Sequence, residues 1–125
     1  MYRMEKVLKP LDEIRVLDLS RVVSGPFTTM QLADMGADVI KVEEPQLGDD
    51  TRAFGPPFVG GVSAYFLSVN RGKRSLALNL KHSRALPIIK TLIASCDVII
   101  ENFRPGAADR FVSFYLRLIA PSLAC

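Results

Sequence analysis

The chain has no tryptophan, one histidine and two cysteines. A lone histidine, and cysteines at positions 96 and 125 without ligand spacing, argue against a metal centre. Two cysteines do not make a disulfide framework either, so a reduced compartment is the default and Cys96 reads as a small core residue. Neither sign of charge dominates: 16 Lys and Arg face 13 Asp and Glu, a net charge of +3, too mild to argue for nucleic acid. Only Arg71, Lys73 and Arg74 cluster, and a solvated turn is the expected reading, with a phosphate seat as the alternative. No stretch approaches the ~18 apolar residues needed to cross a bilayer, and Met1–Pro10 lacks the pattern of a secretory signal. A cytoplasmic protein is expected, with no membrane partner; the alternative compartment is mitochondrial. Internal repeats and low-complexity tracts are absent.

What is present is a globular composition, 49% hydrophobic and 23% charged over 125 residues, enough for one domain or part of a larger one. Ile14–Leu19 is a short apolar run suited to a parallel strand. Gly25 and Pro26 open a helix through Phe27, Met30, Leu32 and Ala33 that stops at Gly36, and Asp38–Glu43 is a second strand. From Glu44 to Gly72 prolines and glycines interrupt the pattern, with a short helical turn expected over Ser63–Val69. Such irregular segments inside a domain are usually functional. Ser75–Leu80 alternates as a strand, and Ala85, Ile88, Ile89, Leu92 and Cys96 recur on one helical face, the helix beginning at Ser83 or at Pro87. Asp97–Glu101 is a further parallel-type strand; Phe111, Phe114, Tyr115 and Leu118 mark another core-facing helix, and Ser122–Cys125 the opening of another strand. Strands alternating with helices predict an α/β fold: a Rossmann-like, mostly parallel open sheet flanked by helices. Such sheets bind ligands at the carboxyl ends of their strands, here the loops Ser20–Gly25, Glu43–Gly48 and Glu101–Gly106.

A nicotinamide-binding unit is the first candidate, with Glu43 or Glu44 as the ribose-binding acid. The glycine fingerprint fails, because Ser20-Arg-Val-Val-Ser-Gly-Pro-Phe carries one glycine and a proline where G-x-G-x-x-G is needed. A Walker A loop is absent. His82 reads as a surface residue at a strand-to-helix junction, with nothing to single it out as a catalytic base.

Several segments together resemble a known family. They are Val16-Leu-Asp-Leu-Ser-Arg, Gly25-Pro-Phe, Leu32-Ala-Asp-Met-Gly-Ala-Asp-Val-Ile-Lys-Val-Glu and Gly48-Asp-Asp-Thr-Arg, followed by Asn70-Arg-Gly-Lys-Arg-Ser, Asn79-Leu-Lys and Asp97-Val-Ile-Ile-Glu-Asn-Phe-Arg-Pro-Gly. In this order and spacing they are similar to the N-terminal portion of the class III CoA-transferases of CaiB/BaiF type, from about Leu8 to Arg110 and more loosely to Cys125. The resemblance implies that residues 1–125 are the N-terminal part of a large Rossmann-like domain, in a family whose subunits interlock as homodimers. It implies CoA transfer from an acyl-CoA to a carboxylic acid, with no tightly bound cofactor and with coenzyme A and acyl-CoA as substrates. The nucleophile would be an aspartate beyond residue 125, forming aspartyl anhydride and CoA-thioester intermediates, so the chain alone would be inactive. Gly48-Asp-Asp-Thr-Arg and Phe54-Gly-Pro-Pro-Phe look closest to members acting on dicarboxylic acids, the succinyl-CoA–glutarate type among them. A non-catalytic CoA-binding remnant and an alpha-methylacyl-CoA racemase-like enzyme of the same fold are the alternatives.

Carried over residue by residue, the resemblance assigns coenzyme A contacts to Arg21, Val22, Val23 and Ser24 after the first strand. Leu78 and Lys81 match positions beside the adenine and its phosphates, and Asn102, Phe103, Ala107 and Arg110 match the loop and helix start after the last strand. Two departures stand out: Glu44 replaces an arginine nucleotide contact, and the usual glycine-containing turn between Arg110 and Pro121 is absent.

Overall fold

The computed structural model describes residues 8–108. The expected helix through Phe111, Phe114, Tyr115 and Leu118, the expected strand at Ser122–Cys125, and Arg110 lie outside the described residues. In chain order the elements are β1 (Arg15–Asp18), α1 (Ser24–Asp34), β2 (Asp38–Glu43), a 3-10 turn (Asp50–Ala53), β3 (Phe58–Val59), β4 (Val62–Ser63), α2 (Ala64–Asn70), β5 (Arg74–Ala77), α3 (Ala85–Ala94) and β6 (Val98–Ile100). Four of the strands make one parallel sheet in the order β5-β2-β1-β6. The chain steps outward from β1 to β2 to β5 and then returns to the far side of β1. A topological switch point therefore falls between β1 and β6, the place where open α/β sheets hold ligands.

Alternation along the strands gives the sheet two different faces. Leu17, Leu19 and Val42 point to the side covered by α3 and pack with Ile89, Ile93 and Cys96. Val16 and Val39 point the other way, where Leu32 and Ala33 of α1 meet them. Asp18, Lys41 and Glu43 are buried too, each at most 6% exposed. α1 ends as expected at Gly36, whose φ of +108 lets the amides of Gly36 and Ala37 reach the carbonyls of Ala33 and Leu32, both at 3.0 Å.

Four sequence expectations change. Residues 44–72 hold more order than predicted, because Gly60 and Gly61, both with positive φ, turn β3 into β4 as a two-residue hairpin. β5 stops at Ala77 instead of Leu80, where Asn79 folds back to accept the Lys81 amide at 3.0 Å. α3 starts at Ala85, so Pro87 sits in the first turn, where its missing N–H removes no helical bond. Ile88, expected on the apolar face, is 47% exposed. The buried face runs through Ala85, Ile89, Ile93 and Cys96, and Ile88 lies about a quarter turn from its centre.

Candidate functional site

The carboxyl ends of the sheet strands open onto a cleft of about 570 Å³. Leu19, Ser20 and Arg21 enter it from β1, Lys41 to Glu44 and Asp49 from β2 and its loop, Leu78 to Lys81 from β5, and Phe103 and Ala107 from β6. Of the residues assigned from sequence, Arg21, Leu78, Lys81, Phe103 and Ala107 are brought together on this lining. Val22, Ser24 and Asn102 are not on it. Leu78 and Phe103 also pack against the apolar core under α3, so the cleft has hydrophobic walls anchored in the fold. Lys81 is exposed, and its ammonium has no ion-pair partner among the described residues. It remains available to an anion.

The loop after β1 is held residue by residue. Ser20 donates from its amide to Asp18 Oδ1 at 2.9 Å and from its hydroxyl to the same oxygen, while its carbonyl accepts from Lys41 Nζ at 2.9 Å. Arg21 exchanges two bonds with the Asn102 carboxamide, its amide to Oδ1 at 2.9 Å and its carbonyl from Nδ2 at 2.8 Å. That exchange spans the switch point and uses the polar end of Asn102 internally. Val22 follows with φ +69, a conformation rarely taken by a β-branched residue, and its amide lies 3.4 Å from Asp49 Oδ1. Gly25 packs directly on Ser20, and a Cβ there would collide with the serine side chain. Ser24 begins α1, and Val23 before it is 44% exposed.

Beneath this loop lies a buried polar network that sequence reasoning did not foresee. Lys41 Nζ is 2.8 Å from Asp49 Oδ2, with both side chains at most 2% exposed. Lys73, expected in a solvated turn, instead tucks its side chain inside, 2% exposed, where Asp18 Oδ2 (3.1 Å), the Pro26 carbonyl (2.8 Å) and Asn70 Oδ1 (2.8 Å) surround its ammonium. Burial pulls the Lys73 pKa down, and Asp18 offsets only part of that shift. Its neighbours do sit in solvent: Arg71 pairs with Asp34 and Arg74 with Asp38. The missed signal was the charged residue inside each apolar strand, Asp18 in the first and Lys41 in the second, which a doubly covered strand tolerates only with partners.

The two acids ending β2 are both committed within the chain. Glu43 accepts from Arg52 Nε (2.7 Å) and Nη2 (2.8 Å), Ser75 Oγ (2.9 Å) and the Asp49 amide (3.0 Å), and the Arg52 guanidinium stacks 3.7 Å over the Phe66 ring. Desolvation raises the Glu43 pKa, but these donors outweigh it and hold the carboxyl below its ordinary range. Glu44 reaches the cleft rim, and its Oε2 accepts from the amides of Gln46 and Leu47 at 2.9 and 2.7 Å. Glu43 is therefore not free for a ribose diol, a structural reason beside the missing glycines to set the nicotinamide reading aside. His82 is exposed as expected, its Nδ1 facing the Arg84 amide at 3.1 Å. Cys96 is buried, and desolvation raises its pKa, which leaves an unreactive thiol. Among the described residues no cluster of His, Cys, Asp and Glu could hold a metal, and no helix is long and apolar enough to cross a membrane.

Comparison with known proteins agrees with this architecture. Residues 11–122 match the family model described as CoA-transferase family III. The chain belongs to CoA-transferase family III. Succinyl-CoA:glutarate CoA-transferase of Mus musculus is 60% identical over 99 residues, covering 79% of this chain and 23% of the relative. Succinate–glutarate CoA-transferase of Agrobacterium fabrum is 46% identical over 122 residues, 91% of this chain and 30% of that one. In structure, a CaiB/BaiF family protein from Brucella suis superposes with a TM-score of 0.77 at 45% identity, over 83% of this chain and 28% of that chain. The chain thus spans between 23% and 30% of the length of these relatives.

Proposed function

We propose that this chain supplies the coenzyme-A-binding part of an enzyme that moves coenzyme A from an acyl-CoA to a carboxylic acid. The observation that carries the reading is the cleft itself, with apolar Leu78 and Phe103 on its walls and, at its rim, the Lys81 ammonium, which has no ion-pair partner among the described residues. An adenine fits such walls, and a nucleotide phosphate is matched by the lysine. Arg21 and Ala107 extend the same lining, while Val22, Ser24 and Asn102 contribute through the shape of the loops. Arg110 is assigned to the site by resemblance alone.

The donor acid is read as succinate and the acceptor as another dicarboxylate. Support comes from the names of the relatives, succinyl-CoA:glutarate and succinate–glutarate CoA-transferase. The reaction calls for an enzyme carboxylate that attacks the thioester carbonyl, forming an acyl–aspartyl anhydride and releasing the CoA thiolate. The thiolate then attacks the aspartyl carbonyl, freeing the first acid and leaving an enzyme thioester, and the second acid reverses both steps. The buried aspartates near the cleft do not suit that part, because Asp18 and Asp49 are enclosed and already paired with lysines. By resemblance the nucleophile is read as an aspartate beyond residue 125, and the interlocked homodimer belongs to the same proposal.

Calorimetric titration of the 125-residue chain with coenzyme A, with NAD as control, tests the reading. Saturable CoA binding, weakened about tenfold or more by Lys81→Ala (about 1.4 kcal/mol), with no NAD binding, is expected. A folded chain that ignores CoA, or binds NAD more tightly, would sink it.

A further inference from the structure

The two loops that frame the cleft leave different strands, yet one buried ion pair touches both. Lys41 Nζ holds the carbonyl of Ser20 in the loop after β1 and faces Asp49 Oδ2 in the loop after β2. Asp49 in turn accepts from the Thr51 amide (3.0 Å) and hydroxyl (2.8 Å), and its Oδ1 lies 3.4 Å from the Val22 amide. Among the described residues a further direct bridge between these loops is Arg21 to Asp50 at 2.6 Å, where both side chains are 51% exposed and open to screening by salt.

We propose that the Lys41–Asp49 pair is the joint that locks the loop after β1 to the loop after β2, making both residues positioning residues for the ligand held between them. Buried ion pairs contribute little net stability compared with apolar residues of similar size, so stability alone does not account for this one. Its placement does: it sits under the cleft, and each partner reaches a backbone group of the loop beside Arg21. With the joint intact, the Ser20 carbonyl is held and Val22 is kept in a conformation the backbone rarely adopts unaided. Without it, each loop stays attached to its own strand, and their separation varies. The ligand half of the proposal rests on the reading of the cleft as a coenzyme A site; the mechanical half does not.

The test uses the 125-residue chain carrying Lys41→Met together with Asp49→Asn, which removes both charges and keeps an oxygen to accept from Thr51. Amide hydrogen exchange and CoA affinity are measured at a temperature where circular dichroism shows the variant folded. The expected result is exchange at Arg21, Val22, Asp49 and Thr51 rising together about tenfold or more, with α3 unchanged. CoA affinity falls by a similar factor, which a purely structural role would not produce in the folded state. Unchanged exchange in the loops overturns the joint, whatever CoA does. Loosened loops with unaltered CoA affinity overturn the positioning role. If the parent chain binds no CoA, the coenzyme A reading and the positioning role fail together, and exchange still decides the joint. Should the double variant not fold, native-state exchange of the parent chain decides: the amides of Arg21, Val22, Asp49 and Thr51 must open in one common step, and independent opening of the two loops overturns the proposal.

Discussion

The same strands present two unlike faces, one packed with apolar side chains alone and one that adds buried charges to its apolar contacts. Toward α3, Leu17, Leu19 and Val42 meet Ile89, Ile93 and Cys96 in an apolar layer. Toward α1 and α2, Asp18, Lys41 and Glu43 meet Thr29, Lys73, Asp49 and Arg52 in a layer of hydrogen bonds and ion pairs. Apolar packing is non-directional and tolerates exchange of one hydrophobe for another of similar volume. A buried charge network is directional: each group has an address, and the addresses of Lys41 and Asp49 lie in the loops beside the cleft. Burial on both faces holds the fold together, and the polar face also fixes the loops beside the cleft.

Breaking each face should therefore fail differently. Lys41→Met alone strands the Asp49 carboxylate away from water and is expected to cost about 3–5 kcal/mol, the largest single effect, in denaturant unfolding. Ile89→Ala, on the apolar face, opens a cavity costing about 2–5 kcal/mol, yet the folded variant should keep the parent's affinity for CoA. A matching loss of affinity in both variants would erase the distinction between the faces.

Acid sharpens the contrast next. Burial pushes the carboxyls of Glu43 and Asp49 up, but Arg52, Ser75 and the Asp49 amide on one, and Lys41 and Thr51 on the other, bring both below their ordinary values. A carboxyl whose folded pKa is depressed adds stability above its unfolded value and loses it as pH falls through the folded one. Stability should thus hold near neutrality and decline from about pH 5 downward. Glu43→Gln should lower the plateau and flatten that decline, leaving the parts due to Asp49 and to Asp38, whose pKa desolvation raises but Arg74 and Arg15 bring below its ordinary value. An equally steep decline in Glu43→Gln would show that Glu43 is not among the groups acid attacks.

The smallest effect is expected at the rim. Glu44→Gln keeps an oxygen for the amides of Gln46 and Leu47 while removing a negative charge from the cleft. CoA should bind about two- to fivefold more tightly at low ionic strength, with the gain fading as salt rises. Unaltered affinity at low salt would mean that the phosphates lie far from this residue.

How much of this was legible in the sequence follows the same division. The parallel strands, α1 with its Gly36 stop, and the end of the sheet where the cleft opens were readable, because apolar runs and glycine signals are local. Leu78, Lys81, Phe103 and Ala107 fell on one cleft because strand ends in such a sheet lie side by side. The β3–β4 hairpin was missed although Gly60-Gly61 is a known turn pair, since its flanking strands are only two residues each. Lys73 was misread because neighbouring arginines suggested a solvated cluster, and its partners Asp18 and Asn70 come from elsewhere in the chain. Pairings across long sequence separations leave no local pattern, and the polar network consists largely of such pairings.

The most direct test of the account is an amide chemical-shift titration of the isotopically labelled chain with coenzyme A. The expected result is saturable shifts at Leu19–Arg21, Leu78–Lys81 and Phe103–Ala107, together with Lys41–Glu44 and Asp49, with the outer face of α3 and the β3–β4 hairpin unmoved. Saturable shifts at the hairpin or on α3, with those cleft segments silent, would contradict it.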